Sequence, residues 1–164
     1  MALYFDLDGV LREFGSYVLG GEPDRWDATN QDGKTVIQIV NEHPEICLEC
    51  PETEYLGVVN ELLDRIVILS NQLPLWAPYT SQWLNNHIKI PYQVIYTSGP
   101  EEKMRILKSH DVIVEDYPKF RDYSQVVLIT REYNKHLDVP LRISNARELE
   151  SFLLSFDDIY QRNI

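Results

Sequence analysis

A chain of 164 residues and 19.2 kDa, 44% hydrophobic and 25% charged, has room for one domain holding at most a modest insertion. No run approaches the ~20 apolar residues that span a bilayer, and the opening MALYFDLDGV lacks a basic n-region, so a cytoplasmic protein with no membrane partner is expected. A formal charge of −11, with basic residues scattered rather than clustered, makes nucleic acid an unlikely partner while leaving a small phosphorylated molecule open, because one metal ion and one lysine can neutralise a site locally.

In chain order, the first element predicted is a strand over Leu3 to Phe5. From about Arg12 to Pro51 no buried strand follows. Gly20, Gly21, Pro23, Gly33, Pro44 and Pro51 punctuate this interval, with a short amphipathic piece at Lys34 to Asn41. It reads as an insertion placed directly after the first strand, too small to be a separate domain. A helix is predicted over Glu54 to Asp64, with Tyr55, Val58, Val59, Leu62 and Leu63 on one face, and then a strand over Ile66 to Leu69. Next come a helix over Trp76 to His87 with Trp76, Trp83 and Leu84 inward, a strand over Tyr92 to Tyr96, and a helix marked by Met104, Ile106 and Leu107. Strands at Val112 to Val114 and Val126 to Ile129 precede a last helix carrying Leu149, Phe152, Leu153 and Phe156, and the tail after Asp157 is expected to fray. The strands are near-continuous in Val, Ile, Leu and aromatics, as strands buried on both faces are. Strands alternating with helices give an α/β fold with a mostly parallel sheet and right-handed crossovers.

Cys47 and Cys50 stand in CxxC spacing. A closed zinc site needs four ligands, and only His43 is near; a redox CxxC opens a helix after a strand, whereas this pair lies between Pro44 and Pro51. Both cysteines are therefore read as packing residues.

The chemistry concentrates at strand ends. In FDLDGV, Asp6 and Asp8 are two apart in extended chain and can face one site, and Gly9 lets the chain turn away. Two close carboxylates repel unless a cation such as Mg²⁺ lies between them. The second strand ends in Ser70-Asn71-Gln72, a hydroxyl and turn amides suited to phosphate oxygens. Lys103 follows Gly99-Pro100 near a helix start, with Lys108 as a rival one turn or more deeper. Asp111 to Asp116 reads as an apolar strand closed by two adjacent acids, Glu115 and Asp116.

The order DxDGV, strand-Ser, Lys, strand-acid-acid, spanning residues 6 to 116, resembles the four motifs of the haloacid dehalogenase (HAD) superfamily. The resemblance implies a Rossmann-like three-layer sandwich, a Mg²⁺ cofactor and phosphoryl transfer through an aspartyl-phosphate. It makes Asp6 the nucleophile and Asp8 the general acid and base. Ser70 and Lys103, with Asn71 beside them, would hold the phosphoryl group. Asp6, the backbone carbonyl of Asp8, and Glu115 or Asp116 would hold the metal. The fourth motif reads Glu-Asp where Asp-Asp is commoner, which leaves open which acid touches the ion. An acid at the +2 position is the phosphatase pattern, not that of the dehalogenases proper.

The insertion lies where this superfamily places a cap that reads the leaving group. FDLDGVL, HPEICLECPETEYLGVVNELL, the Trp83 to His87 segment and VIVEDYPKF are similar to the 5′-nucleotidase (deoxyribonucleotidase) branch. The expected activity is hydrolysis of a (deoxy)nucleoside monophosphate, with Phe14, Tyr17 and Trp26 as candidates to stack on a base. Two enzymatic rivals are a phosphatase of another small metabolite and one of a nucleic-acid 3′-phosphate end. A catalytically silent binding module is a rival of another class. The sequence is compatible with a homodimer and does not fix the oligomeric state.

Overall fold

The computed structural model describes the backbone of residues 1 to 161 and the side chains through residue 156. Six strands form one sheet: β1 (Leu3–Phe5), β2 (Ile66–Asn71), β3 (Tyr92–Thr97), β4 (Val112–Glu115), β5 (Val126–Ile129) and β6 (Arg142–Ile143). Their order is β3-β2-β1-β4-β5-β6 and every pairing is parallel, so the sheet is wholly parallel rather than mostly so. β6 was not foreseen, because two residues beginning with an arginine leave no apolar run.

Helices flank both faces in a Rossmann-like sandwich, and strand alternation decides which side chain meets which layer. Phe5, Ile68, Val114, Val127 and Ile129 pack beneath α4 (Glu54–Leu62), α5 (Ala77–His87) and α7 (Ala146–Gln161). The intervening residues Leu69, Ile113, Val126 and Leu128 pack beneath α6 (Pro100–Ile106) and a 3-10 turn at Pro118–Phe120. In α4 the buried face is Tyr55, Leu56 and Val59, whereas Leu62, expected inward, is 36% exposed. The helix stops at Leu62 after about two and a half turns, and Leu56 occupies the inner position. α7 continues as helix through Gln161, so the fraying expected after Asp157 does not begin there; residues 162 to 164 lie outside the described residues. No helix among the described residues is long and apolar enough to cross a membrane.

The stretch after β1 contains three short helices, α1 (Gly15–Leu19), α2 (Val36–Glu42) and α3 (Ile46–Glu49). Thr35 and Gln38 close a capping box at the start of α2. Phe14, Val40, Cys47 and Cys50 form a small apolar cluster, completed by Trp76 from the loop after β2. Both cysteines are buried and free, and burial pushes their thiols up to about 11 and about 12, so they pack as protonated thiols. The stretch leaves and rejoins the core at one neck. There Arg12 and Glu52 form an antiparallel bridge, Glu13 N donates to the Pro51 carbonyl at 2.9 Å, and Thr53 N donates to the Leu11 carbonyl at 3.0 Å.

The packing of α4 predicts opposite outcomes for two leucines. Leu56→Ala should cost about 2–5 kcal/mol of unfolding free energy, whereas Leu62→Ala should stay within about 0.5 kcal/mol. Denaturant melts of the two variants check this, and equal losses would show that α4 is rotated from the face described.

Candidate active site

The strand order reverses between β1 and β4, and ligands of open parallel sheets bind beyond the carboxyl ends of the strands at such a point. Phe5 is in register with Val114, so Asp6 and Glu115 leave the sheet side by side. Phe5 and Val114 point into the α4/α5/α7 layer, so by alternation the next residues point to the side of α6. α6 supplies Lys103, which is 3% exposed; its Nζ lies 2.8 Å from Asp6 Oδ1 and donates to Glu115 Oε1 at 2.9 Å. The contact to Asp6 is an ion pair without hydrogen-bond alignment, so Asp6 Oδ1 still lacks a donor. Burial alone would lower the Lys103 pKa, but Asp6 and Glu115 outweigh it and hold the ammonium charged.

Asp116 completes the floor. Its Oδ2 accepts the Tyr133 hydroxyl, its carbonyl accepts Asn134 Nδ2 at 2.9 Å, and its buried Oδ1 has no partner. Burial first, and the neighbouring Asp6 second, push its carboxyl up to about 7. Asp6 is likewise raised well above the usual carboxylate range, by burial and then by Glu115, against the opposing pull of Lys103. Gly9 is required here for space: a Cβ on it would lie 1.7 Å from Asp116 Oδ2, and its φ of +81° is one that side-chain-bearing residues rarely adopt.

Asp8 is turned away from this group. Its Oδ1 accepts Arg12 Nε at 2.7 Å and contacts Arg12 Nη2 at 2.7 Å, while its Oδ2 accepts Gln72 Nε2 at 2.6 Å. Gln72 Nε2 also donates to Ser70 Oγ at 3.2 Å, and Thr80 Oγ1 donates to Gln72 Oε1 at 2.9 Å. Arg12 is fully buried; its Nη1 donates to the Cys47 carbonyl at 2.6 Å, and its guanidinium lies 5.0 Å from the Phe14 ring and 5.5 Å from the Trp83 ring. Arg131 braces the other side of the loop, donating to the Gly9 carbonyl at 2.9 and 2.6 Å and to Glu13 at 2.8 Å. Sequence reasoning did not single out Arg12, Arg131, Tyr133 or Asn134, and it read Gln72 as a turn amide for phosphate rather than as a partner of Asp8. The one available signal was a charged Arg12 directly after the apolar Val10-Leu11 pair.

A cleft of about 560 Å³ opens over these residues, a size suited to a small molecule. Asp6, Asp8, Ser70, Asn71, Lys103, Glu115 and Asp116, the residues expected from sequence to carry out the chemistry and to hold phosphate and metal, all line it. Lys108 is exposed beyond the end of α6 and does not. Of the three aromatics expected to meet a ligand, Trp26 stands at the mouth, half-exposed, with ring centroids 4.8 Å from Tyr117 and 5.3 Å from Tyr133. Phe14 also borders the cleft, although it is buried against Trp76 within the insertion's own packing, while Tyr17 does not border it, and for Tyr17 that expectation is corrected. Among known proteins, no family model and no curated sequence matches the chain.

The donor set suits a hard divalent cation. Asp6, Glu115 and Asp116 each offer an oxygen, all within 4.8 Å of one another, with one ammonium to balance them and Asp116 Oδ1 unpartnered. The Asp8 carboxylate is not among them.

Without metal, the folded chain keeps a proton on Asp116 that the unfolded chain releases near 3.8, so this group's contribution is full below that value and is lost as the pH rises towards about 7. Mg²⁺ favours the ionised form and should therefore raise the melting temperature more at about pH 8 than at about pH 5. At a hundredfold excess over its Kd the gain is about 2.7 kcal/mol. A melting temperature indifferent to Mg²⁺ and to EDTA at the higher pH would remove the metal site.

Proposed function

We propose that the chain is a Mg²⁺-dependent phosphomonoesterase of the HAD type, with (deoxy)nucleoside monophosphates as its substrates. The observation that carries this reading is the buried group at the β1/β4 switch point, in which Lys103 lies between Asp6 and Glu115 with Asp116 alongside. Such a floor combines a carboxylate nucleophile with fixed positive charge for a phosphoryl group.

In the first half-reaction a carboxylate oxygen of Asp6 attacks phosphorus and the bond from phosphorus to the ester oxygen breaks. The departing oxygen keeps the electron pair and takes a proton from Asp8. In the second, water attacks the aspartyl-phosphate, Asp8 accepts its proton, and cleavage of the bond from phosphorus to Asp6 releases phosphate. Lys103 and Ser70 hold the phosphoryl oxygens throughout. Asp6, with Glu115 or Asp116, would hold Mg²⁺, which would supply charge neutralisation to the transferring group. Both Asp8 oxygens accept hydrogen bonds in the structure, which is the state of the base. To serve as the acid, Asp8 takes up a proton and releases one of those partners. The half-exposed Trp26 face supports a planar base as the leaving group's far end.

Asp6→Asn should lower phosphate release by roughly 10³-fold or more without unfolding the protein, because an amide oxygen cannot form the acyl-phosphate. Release within about tenfold of the parent, measured with a panel of phosphomonoesters in Mg²⁺, would overturn the mechanism.

Trp26→Ala should lower kcat/KM for the best nucleoside monophosphate by about five- to a hundredfold, and less for p-nitrophenyl phosphate. Equal losses on both would leave a generic phosphatase and remove base recognition at this ring.

A further inference from the structure

We infer that the cleft admits phosphomonoesters bearing one phosphate on an uncharged leaving group, and rejects bisphosphates, polyphosphates and the phosphorylated ends of polynucleotides. This rests on the phosphatase reading for the identity of the floor and adds what the walls admit.

Among the described residues that line the cleft, Lys103 is the only one with a positive charge. It lies at the bottom and is already shared by two carboxylates. Above it the walls are Trp26, Val36, Ile37, Leu73 and Tyr117, with Asp27 as the charged residue towards the opening. Of the cations next to lining residues, the two buried ones are committed elsewhere and two exposed ones carry surface ion pairs. Arg12 is spent on Asp8 and the Cys47 carbonyl, Arg131 on Glu13 and the Gly9 carbonyl, and Lys34 on Glu42; Arg25 lies 3.6 Å from Asp27, out in solvent. A second phosphate would give up its water to meet apolar side chains or a like-charged carboxylate, with no cation in exchange. An uncharged sugar or base has no such loss: the Thr35 and Ser98 hydroxyls, which donate to Gln38 and Glu102, can still accept from a sugar hydroxyl, Asn71 adds an amide, and the apolar wall suits a ring. A bound metal does not change this, because its ligands are on the floor and the remote phosphate is at the walls.

The test compares a nucleoside 5′-monophosphate with the corresponding 3′,5′-bisphosphate, binding being measured by calorimetry in Mg²⁺ on the Asp6→Asn chain and turnover on the parent. The bisphosphate should bind weaker by roughly tenfold or more, and kcat/KM should fall by a similar factor. Ile37→Lys, which places an ammonium on the exposed wall, should close that gap by about threefold or more. Equal or tighter binding of the bisphosphate, binding of neither ligand, or a gap unmoved by Ile37→Lys overturns the inference. Failure here is distinct from failure of the phosphatase reading. If the parent releases no phosphate from any monoester, the binding ratio still decides what the walls admit; if both ligands are hydrolysed equally, the phosphatase stands and the selectivity falls.

Discussion

Lys103 lies buried between Asp6 and Glu115, and the surrounding structure is arranged to make that placement tolerable. Removing ions from water costs several kcal/mol each, and a well-packed apolar substitute would often be more stable. The arrangement survives because its members come from different rigid elements. β1 and β4 bring the two carboxylates together by register, and α6 lays the ammonium across them from the layer that strand alternation assigns to it. The third carboxylate, Asp116, exceeds what one lysine can balance, and burial beside Asp6 raises its pKa to about 7. Tyr133 and Asn134 hold that carboxylate in place, and Gly9 yields the space it needs.

A second buried cation, Arg12, joins the acidic loop to the segment that overhangs it. The residue belongs to the neck, yet its guanidinium touches Asp8, the Cys47 carbonyl in α3 and Thr80 in α5, with Phe14 and Trp83 on its faces. Asp8 is therefore oriented by the same group that fixes the insertion. Any displacement of α3 or Phe14 relative to the sheet is transmitted to the Asp8 carboxylate through one rigid planar fork.

Much of this was legible in the sequence, for definite reasons. Strands β1 and β5 and the first four residues of β2 are uninterrupted apolar runs, and no other local structure buries such runs so economically. Asp6, Ser70, Lys103 and the Glu115-Asp116 pair could be placed because each follows or faces such a run. The helices α1 and α3 escaped notice, since four or five residues with no side-chain cap carry no periodicity. The Arg12–Cys47 and Arg131–Gly9 contacts join positions 35 and 122 residues apart, and only the assembled sheet makes them neighbours. Leu62 misled because a helical stripe drawn over Glu54 to Asp64 presumes a helix longer than the one that forms.

The neck has an evolutionary reading. The overhanging segment departs and returns through adjacent backbone, with Arg12 bridged to Glu52 and Leu11 bonded to Thr53, so its two ends are held together whatever lies between them. Lengthening a loop whose ends are already pinned costs little chain entropy, rising only with the logarithm of its length. Gains and losses of residues between positions 13 and 51 can thus accumulate without shifting the register of β1 or disturbing the acidic floor. A lineage could exchange the overhanging segment while inheriting the sheet and its acidic floor unchanged.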